Sequence, residues 1–144
     1  MTIEIREADD DDVEPILALW AVADATSSIT DTPDDLKRIG RLENATLLVA
    51  STDAELIGSV IAAFDGWRGT VYRLAVHPAH RRQGVARALI DAADKRFRNW
   101  EVKRVSALVE KEHASAVGFW NDTRYVFDER MIRYVRTLGV EVTA

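Results

Sequence analysis

Between Tyr72 and Leu89 the chain passes from a strand, through a turn closed by Pro78, past Arg81, Arg82 and Gly84, and into an amphipathic helix. No other stretch constrains the fold as strongly. Pro78 ends the strand because proline cannot donate to a ladder. A strand delivered this directly into a helix belongs to a mixed α/β domain. The helix runs from about Val85 to Phe97 and sets Leu89, Ala93 and Phe97 on one face. Its start also forms an anion site, since first-turn N–H groups lack partners and the helix dipole is positive there. Gly84 has no side chain to hold a phosphate away, and Ala86 is small for the same reason. Arg81 and Arg82 add donors and full charges that a diphosphate would use. Two other phosphate loops are excluded. A P-loop needs Lys-Ser or Lys-Thr after its last glycine, where this chain has Val85-Ala86, and a dinucleotide fingerprint needs three glycines.

The flanking sequence supplies the remaining layers. Ile3 and Ile5 alternate with polar neighbours, as in a half-buried strand. The acidic run Asp9 to Asp12 reads as a helix start, because it opposes the dipole and lacks the spacing of a calcium loop. Val13, Ile16, Leu17 and Trp20 follow at helical spacing, with Pro15 tolerated in the first turn. Thr32-Pro33 opens a second helix, Thr32 as its cap and Pro33 at its first position. Leu47 to Ala50 and Leu56 to Ile61 read as a hairpin turning near Asp53, and the loop 65–69 leads into a strand from Thr70 to His77. Beyond the long helix, residues 105–109 make a short buried strand and 116–120 a short helix. Residues 125–142, rich in β-branched and aromatic side chains, are expected to add one or two final strands. The expectation is one domain over residues 1–144.

Charge and cysteine content narrow the function classes. A net charge of −5 argues against a nucleic-acid partner, which calls for a basic excess. With no cysteine there is no disulfide framework, thiol nucleophile or thiolate metal site, and three scattered histidines assemble neither a triad nor a metal set. The N-terminus lacks the basic start and apolar run of a signal peptide, and no apolar stretch suits a membrane span. The chain is therefore expected in the cytoplasm, as a monomer or homodimer, with no membrane partner and no metal.

The decamer from His77 to Ala86 resembles the signature of the GNAT superfamily of N-acetyltransferases: Arg/Gln-x-x-Gly-x-Gly/Ala after a strand ending in Val-His-Pro. Arg81, Gly84 and Ala86 are the matching positions, and Leu74-Ala75-Val76 is the preceding strand. The order of elements is similar along the whole chain, and Gly66, Arg68 and Gly69 resemble a small bacterial branch. The resemblance implies a mixed central sheet flanked by helices, with a bulged strand that splays from the strand holding Ala107 and Val109. It implies acetyl-CoA as co-substrate, its pantetheine arm on the backbone of Leu74, Ala75 and Val76. Main-chain groups from Arg82 through Gln83, Gly84, Val85 and Ala86 to Arg87 would hold the pyrophosphate, with Arg81 beside them. The implied reaction is direct acetyl transfer to a primary amine, on a small molecule or a protein, with backbone N–H near Leu74–Val76 polarising the thioester.

Three positions depart from the family pattern. His113 stands where an asparagine usually contacts the cofactor, and Trp120 where a tyrosine protonates the leaving thiolate. An indole N–H donates a hydrogen bond but cannot act as a general acid, so Trp120 either bonds the sulfur or packs as an aromatic wall. Leu108 fills the place of the glutamate used by ribosomal-protein acetylases of the family. Glu110, two residues on and therefore on the same strand face, is the candidate base, acting through a water, ahead of Tyr72 and Asp65. Trp20, Trp67, Asp24, Asp31, Asp34 and Asp35 are candidates to line a cleft for a cationic amine. The alternative to an active enzyme is a catalytically silent acyl-CoA-binding sensor module.

Overall fold

The computed structural model describes residues 2–139, in two compact units that divide between Val109 and Glu110. The first holds a five-stranded sheet in the order β1-β2-β3-β4-β5: β1 (Glu4–Glu7), β2 (Ala45–Thr52), β3 (Glu55–Phe64), β4 (Gly69–Val76) and β5 (Val105–Ala107). Neighbours from β1 to β4 are antiparallel, whereas β5 joins β4 in parallel after the crossover helix α3 (Val85–Asn99). Helices α1 (Val13–Val22) and α2 (Pro33–Ile39) precede β2.

Both faces of the sheet are covered, which is why β2 and β3 read as nearly unbroken apolar runs. Val13, Ile16, Leu19 and Trp20 of α1 and Leu36 of α2 share one core with Leu47, Val49 and Ile61. On the other face α3 buries Val85, Leu89, Ile90, Ala93 and Phe97. It comes close to the sheet at Gly58, where an added Cβ would meet Leu89 Cδ1 and Val85 Cγ1 at 2.9 Å. The hairpin turns through Asp53 and Ala54, both at positive φ, as two-residue loops require to match strand twist.

The helix starts follow the sequence expectation. Asp9 and Asp12 form a capping box, and Thr32 accepts from Asp35 N with Pro33 at the first helical position. Asp12 is also gripped by both terminal nitrogens of Arg6, at 2.6 and 2.8 Å. That hydrogen bond, opposed by burial and helped by Asp9 N–H, holds the Asp12 carboxyl below its usual range. A folded pKa below the unfolded one contributes stability that is complete above the unfolded value and lost as pH falls through the folded one. We therefore expect Asp12→Asn to cost about 1–3 kcal/mol at neutral pH, and the gap from wild type to close below about pH 4. Denaturant titrations at neutral and acidic pH measure both.

The second unit contains α4 (Ala114–Asn121), capped by His113, whose Nδ1 accepts from Ala116 N at 3.1 Å. The expected final strands are not found. Residues 125–139 form no strand, and residues 140–142 lie outside the described residues. High β propensity does not make a strand without a ladder partner, and this stretch has none among the described residues. No helix among the described residues is long and apolar enough to cross a membrane.

Candidate active site

The central feature is a mismatch on either side of β4. Towards β3, Ser59 pairs with Ala75 but Ile61 pairs with Tyr72, so β4 carries one extra residue. The bulge falls at Arg73–Leu74, and Arg73 sits at φ +53, a left-handed conformation that costs a residue with a side chain about 1–2 kcal/mol. Towards β5 the ladder covers only Gly69–Val71, ending with Leu108 N–H to Val71 O. From Tyr72 to Val76 the edge of β4 on that side has no strand partner among the described residues. An extended ligand can hydrogen-bond to a free strand edge as a further strand would. Leu74, Ala75 and Val76 lie on this stretch, as expected.

Arg73 is held in place by several groups. Its guanidinium binds both carboxylate oxygens of Asp31, at 2.7 and 2.8 Å, and Thr26 O at 2.9 Å, and lies over the Trp20 ring. Its carbonyl accepts from Ser59 Oγ, which in turn accepts from Trp20 Nε1. This network was not anticipated. The available signals were an arginine and a serine in otherwise apolar strands.

The turn after β4 is built from backbone caps. His77 Nδ1 accepts from Ala79 N, fixing a 3-10 turn over Pro78–His80. Arg82 and Gly84 then take left-handed backbone, φ +61 and +83, before α3 begins. Gly84 caps the helix with no side-chain hydrogen bond, and the first bond back to it comes from Ala88 N. The N–H groups of Val85, Ala86 and Arg87 thus face outward from the first turn. A Cβ on Gly84 would meet nothing within 4 Å, so that approach is open. Arg82, Gln83 and Arg87 are exposed around it. This arrangement fits a diphosphate: outward donors, a positive dipole end and two free-standing cations. Arg81 is placed differently from the rest. Its guanidinium reaches Ala23 O, 3.4 Å away at the C-terminal end of α1, where a cation suits the dipole. Val85 and Ala75 both border Gly58, so the helix start and the free strand edge share one rigid support.

Other candidates fare less uniformly. Trp20 is a core residue at 3% exposure, so it lines no cleft. Its indole is consumed by Ser59. Asp31 is paired with Arg73, and Asp35 with Thr32 and Arg38, whereas Asp24 and Asp34 are exposed. Trp67 is exposed with Arg68 stacked on it. Asp65 accepts from Arg68 N and Trp67 N, which together hold its carboxyl low. Those bonds make it a poor proton acceptor. A cleft of about 210 Å³ does exist, bounded by Leu42, Asn44, Phe64, Arg68 and Tyr72. Within the second unit, Glu110 O accepts from His113 N, and Trp120 is buried with its ring edge-on to Phe119 and Tyr125. His113 spends Nδ1 on its cap.

Residues 13–123 match the sequence model of the acetyltransferase (GNAT) family. An acetyltransferase of Pectobacterium atrosepticum is 31% identical over 123 residues, 85% of this chain and 87% of the relative. Among solved structures, an aminoglycoside N-acetyltransferase in complex with CoA superposes with a TM-score of 0.77 at 19% identity, covering 94% of this chain and 95% of that one. A ribosomal-protein-alanine N-acetyltransferase from Brucella melitensis gives 0.75 at 21% identity, covering 96% and 100%. At such identities the two structures establish likeness of fold.

Proposed function

Because the chain belongs to the acetyltransferase (GNAT) family, we propose that residues 1–144 act as one domain that transfers an acetyl group from acetyl-CoA directly to a primary amine. The observation that carries this reading is the start of α3, where outward N–H groups, Gly84 and the exposed Arg82 and Arg87 suit a diphosphate. Acetyl-CoA supplies the thioester. The free edge of β4 from Tyr72 to Val76 would bind the pantetheine amides, and a backbone N–H at the bulge would polarise the carbonyl under attack. Glu110 would take the proton of the amine through a water. Trp120 would donate its indole N–H to the departing thiolate, which is a tolerable leaving group without protonation. His113, which caps α4 through Nδ1, would contact the coenzyme. The reaction would run in the cytoplasm.

The acceptor is a primary amine on a small molecule or a protein; the two neighbours in fold act on one of each kind by name. No observation favours the silent-module alternative. A panel of amines with thiol detection tests the reading, and acetyl-CoA turnover dependent on an amine is the expected result. Acetyl-CoA bound at saturation, yet never consumed with any small amine or lysine-bearing protein, would overturn it. On the same reading, Trp120→Tyr restores a phenol that can protonate the thiolate. Turnover should stay level or rise by up to about tenfold. A large fall in kcat would remove Trp120 from the vicinity of the sulfur.

A further inference from the structure

On the face of the sheet that α1 and α2 cover, the core ends before the sheet does. Leu47, Ile61 and Tyr72 stand opposite one another across β2, β3 and β4, and the first two belong to that core. The next row on the same face is Ala45, Ala63 and Thr70, all half-buried. These side chains are too short to continue the layer. The cleft of about 210 Å³ stands over them, walled by Leu42 and Phe64. At ~30 Å³ per water it holds about seven waters, enough for a small molecule. Tyr72 borders both this cleft and the free edge of β4, so a ligand seated there has one end beside the proposed thioester site.

The charge in this cleft indicates what it holds. None of Asp24, Asp31, Asp34 and Asp35 lines it, whereas Arg68 does, and no ion pair among the described residues includes Arg68. Asp65, the acid in the lining, is engaged by its own loop: Oδ1 accepts from Trp67 N at 2.8 Å and from Arg68 N at 2.9 Å. Those bonds, with Gly66 in left-handed backbone at φ +97, fix the loop 65–68 between β3 and β4. The Arg68 guanidinium lies 4.1 Å from the centroid of the Trp67 ring, which is 73% exposed. Stacking occupies the flat face of a guanidinium and leaves its N–H groups in the plane, where they can hold a carboxylate by two parallel bonds. An arginine already seated on a ring also loses less freedom on binding than one that swings in water. Thr70 and Tyr72 add hydroxyl donors to the lining.

We infer that this cleft holds the acceptor, and that the acceptor carries a carboxylate, gripped by Arg68, at the end opposite its amine. The inference rests on the acetyl-transfer reading above. At ~3.3 Å per residue, Arg68 and Tyr72 stand about 13 Å apart along the chain, so amine and carboxylate are separated by several carbons, as in an ω-amino acid. The probes are 6-aminohexanoate and its carboxamide, titrated by NMR into the protein saturated with CoA, which cannot acetylate them. The acid should bind at least about tenfold more tightly than the amide. Arg68→Gln should bind the two alike, and it should stay folded because the loop is held through the Arg68 backbone. Arg68→Glu should bind 1,6-diaminohexane ahead of the acid. Equal binding of acid and amide by the wild-type protein, or binding of neither, overturns the inference, as does a preference that survives Arg68→Gln. With acetyl-CoA in place of CoA, the acid should be acetylated with kcat/KM at least about tenfold above that of the amide. Arg68-dependent binding of the acid without acetylation would count against the transfer reading and leave the carboxylate site standing. Acetylation of acid and amide with equal efficiency would uphold transfer and remove the carboxylate from the acceptor.

Discussion

Gly84→Glu should abolish acetyl-CoA binding while leaving the protein folded. At φ +83 any side chain is strained, so the backbone alone loses about 1–2 kcal/mol of stability, which a domain of this size tolerates. The new side chain meets no protein atom within 4 Å of its Cβ, so nothing in the core is displaced. It projects instead over the N–H groups of Val85 to Arg87, occupying their approach and setting a negative charge against the diphosphate. Juxtaposed like charges cost several kcal/mol, so we expect the affinity to fall by more than about 100-fold in a calorimetric titration. Gly84→Ala carries the same strain without charge or bulk and should lose less than about tenfold. Matched melting curves for the two variants separate strain from repulsion. Binding of the glutamate variant within tenfold of wild type would move the diphosphate away from this helix.

What was legible beforehand was local. A proline after an apolar strand, a glycine with two arginines before an amphipathic run, and Thr32-Pro33 each act through their own backbone within a few residues. The helix starts and the Asp53 turn appear where those residues stand. What was missed depends on partners distant in sequence. Two of the acids expected in one cleft are engaged within the chain: Asp31 takes Arg73 and Asp35 takes Thr32. Trp20 looked equally suited to a binding surface, but Ser59, 39 residues away, accepts its indole N–H in the core. Arg81 reads as a phosphate ligand from the motif alone, yet its guanidinium extends to the end of α1. The segment 125–139 has strand composition, and composition cannot by itself supply a ladder.

Arg73 offers the second large effect. Its guanidinium reaches Asp31 from the sheet, and side-chain exposures of 18% and 19% place the pair largely out of water. Arg73→Ala leaves the Asp31 carboxylate without its cation, although Ser28 N–H still donates to it, takes the cation from the Trp20 face and removes the bond to Thr26 O. Removing one partner of such a pair is costly, and we expect a loss of about 2–4 kcal/mol by denaturant titration. Arg73→Gly removes the same contacts but relieves the strain at φ +53, so it should be about 1 kcal/mol more stable than the alanine variant. That ordering is opposite to the one expected in an ordinary strand, where glycine is the worse residue. A glycine variant less stable than the alanine variant would show that the bulge relaxes once the guanidinium is gone. The functional readout follows from what the pair joins. Asp31 belongs to the loop between α1 and α2, and Arg73 to the bulge on which the thioester is proposed to rest. Freed of its clamp, the loop should raise the KM of the acceptor amine by about tenfold or more, since misplacing a bound reactant by 1 Å costs on the order of 100-fold. The affinity for acetyl-CoA, set at the start of α3, should barely change. Equal losses in both would mean that the bulge itself has collapsed and that Arg73 supports the whole site.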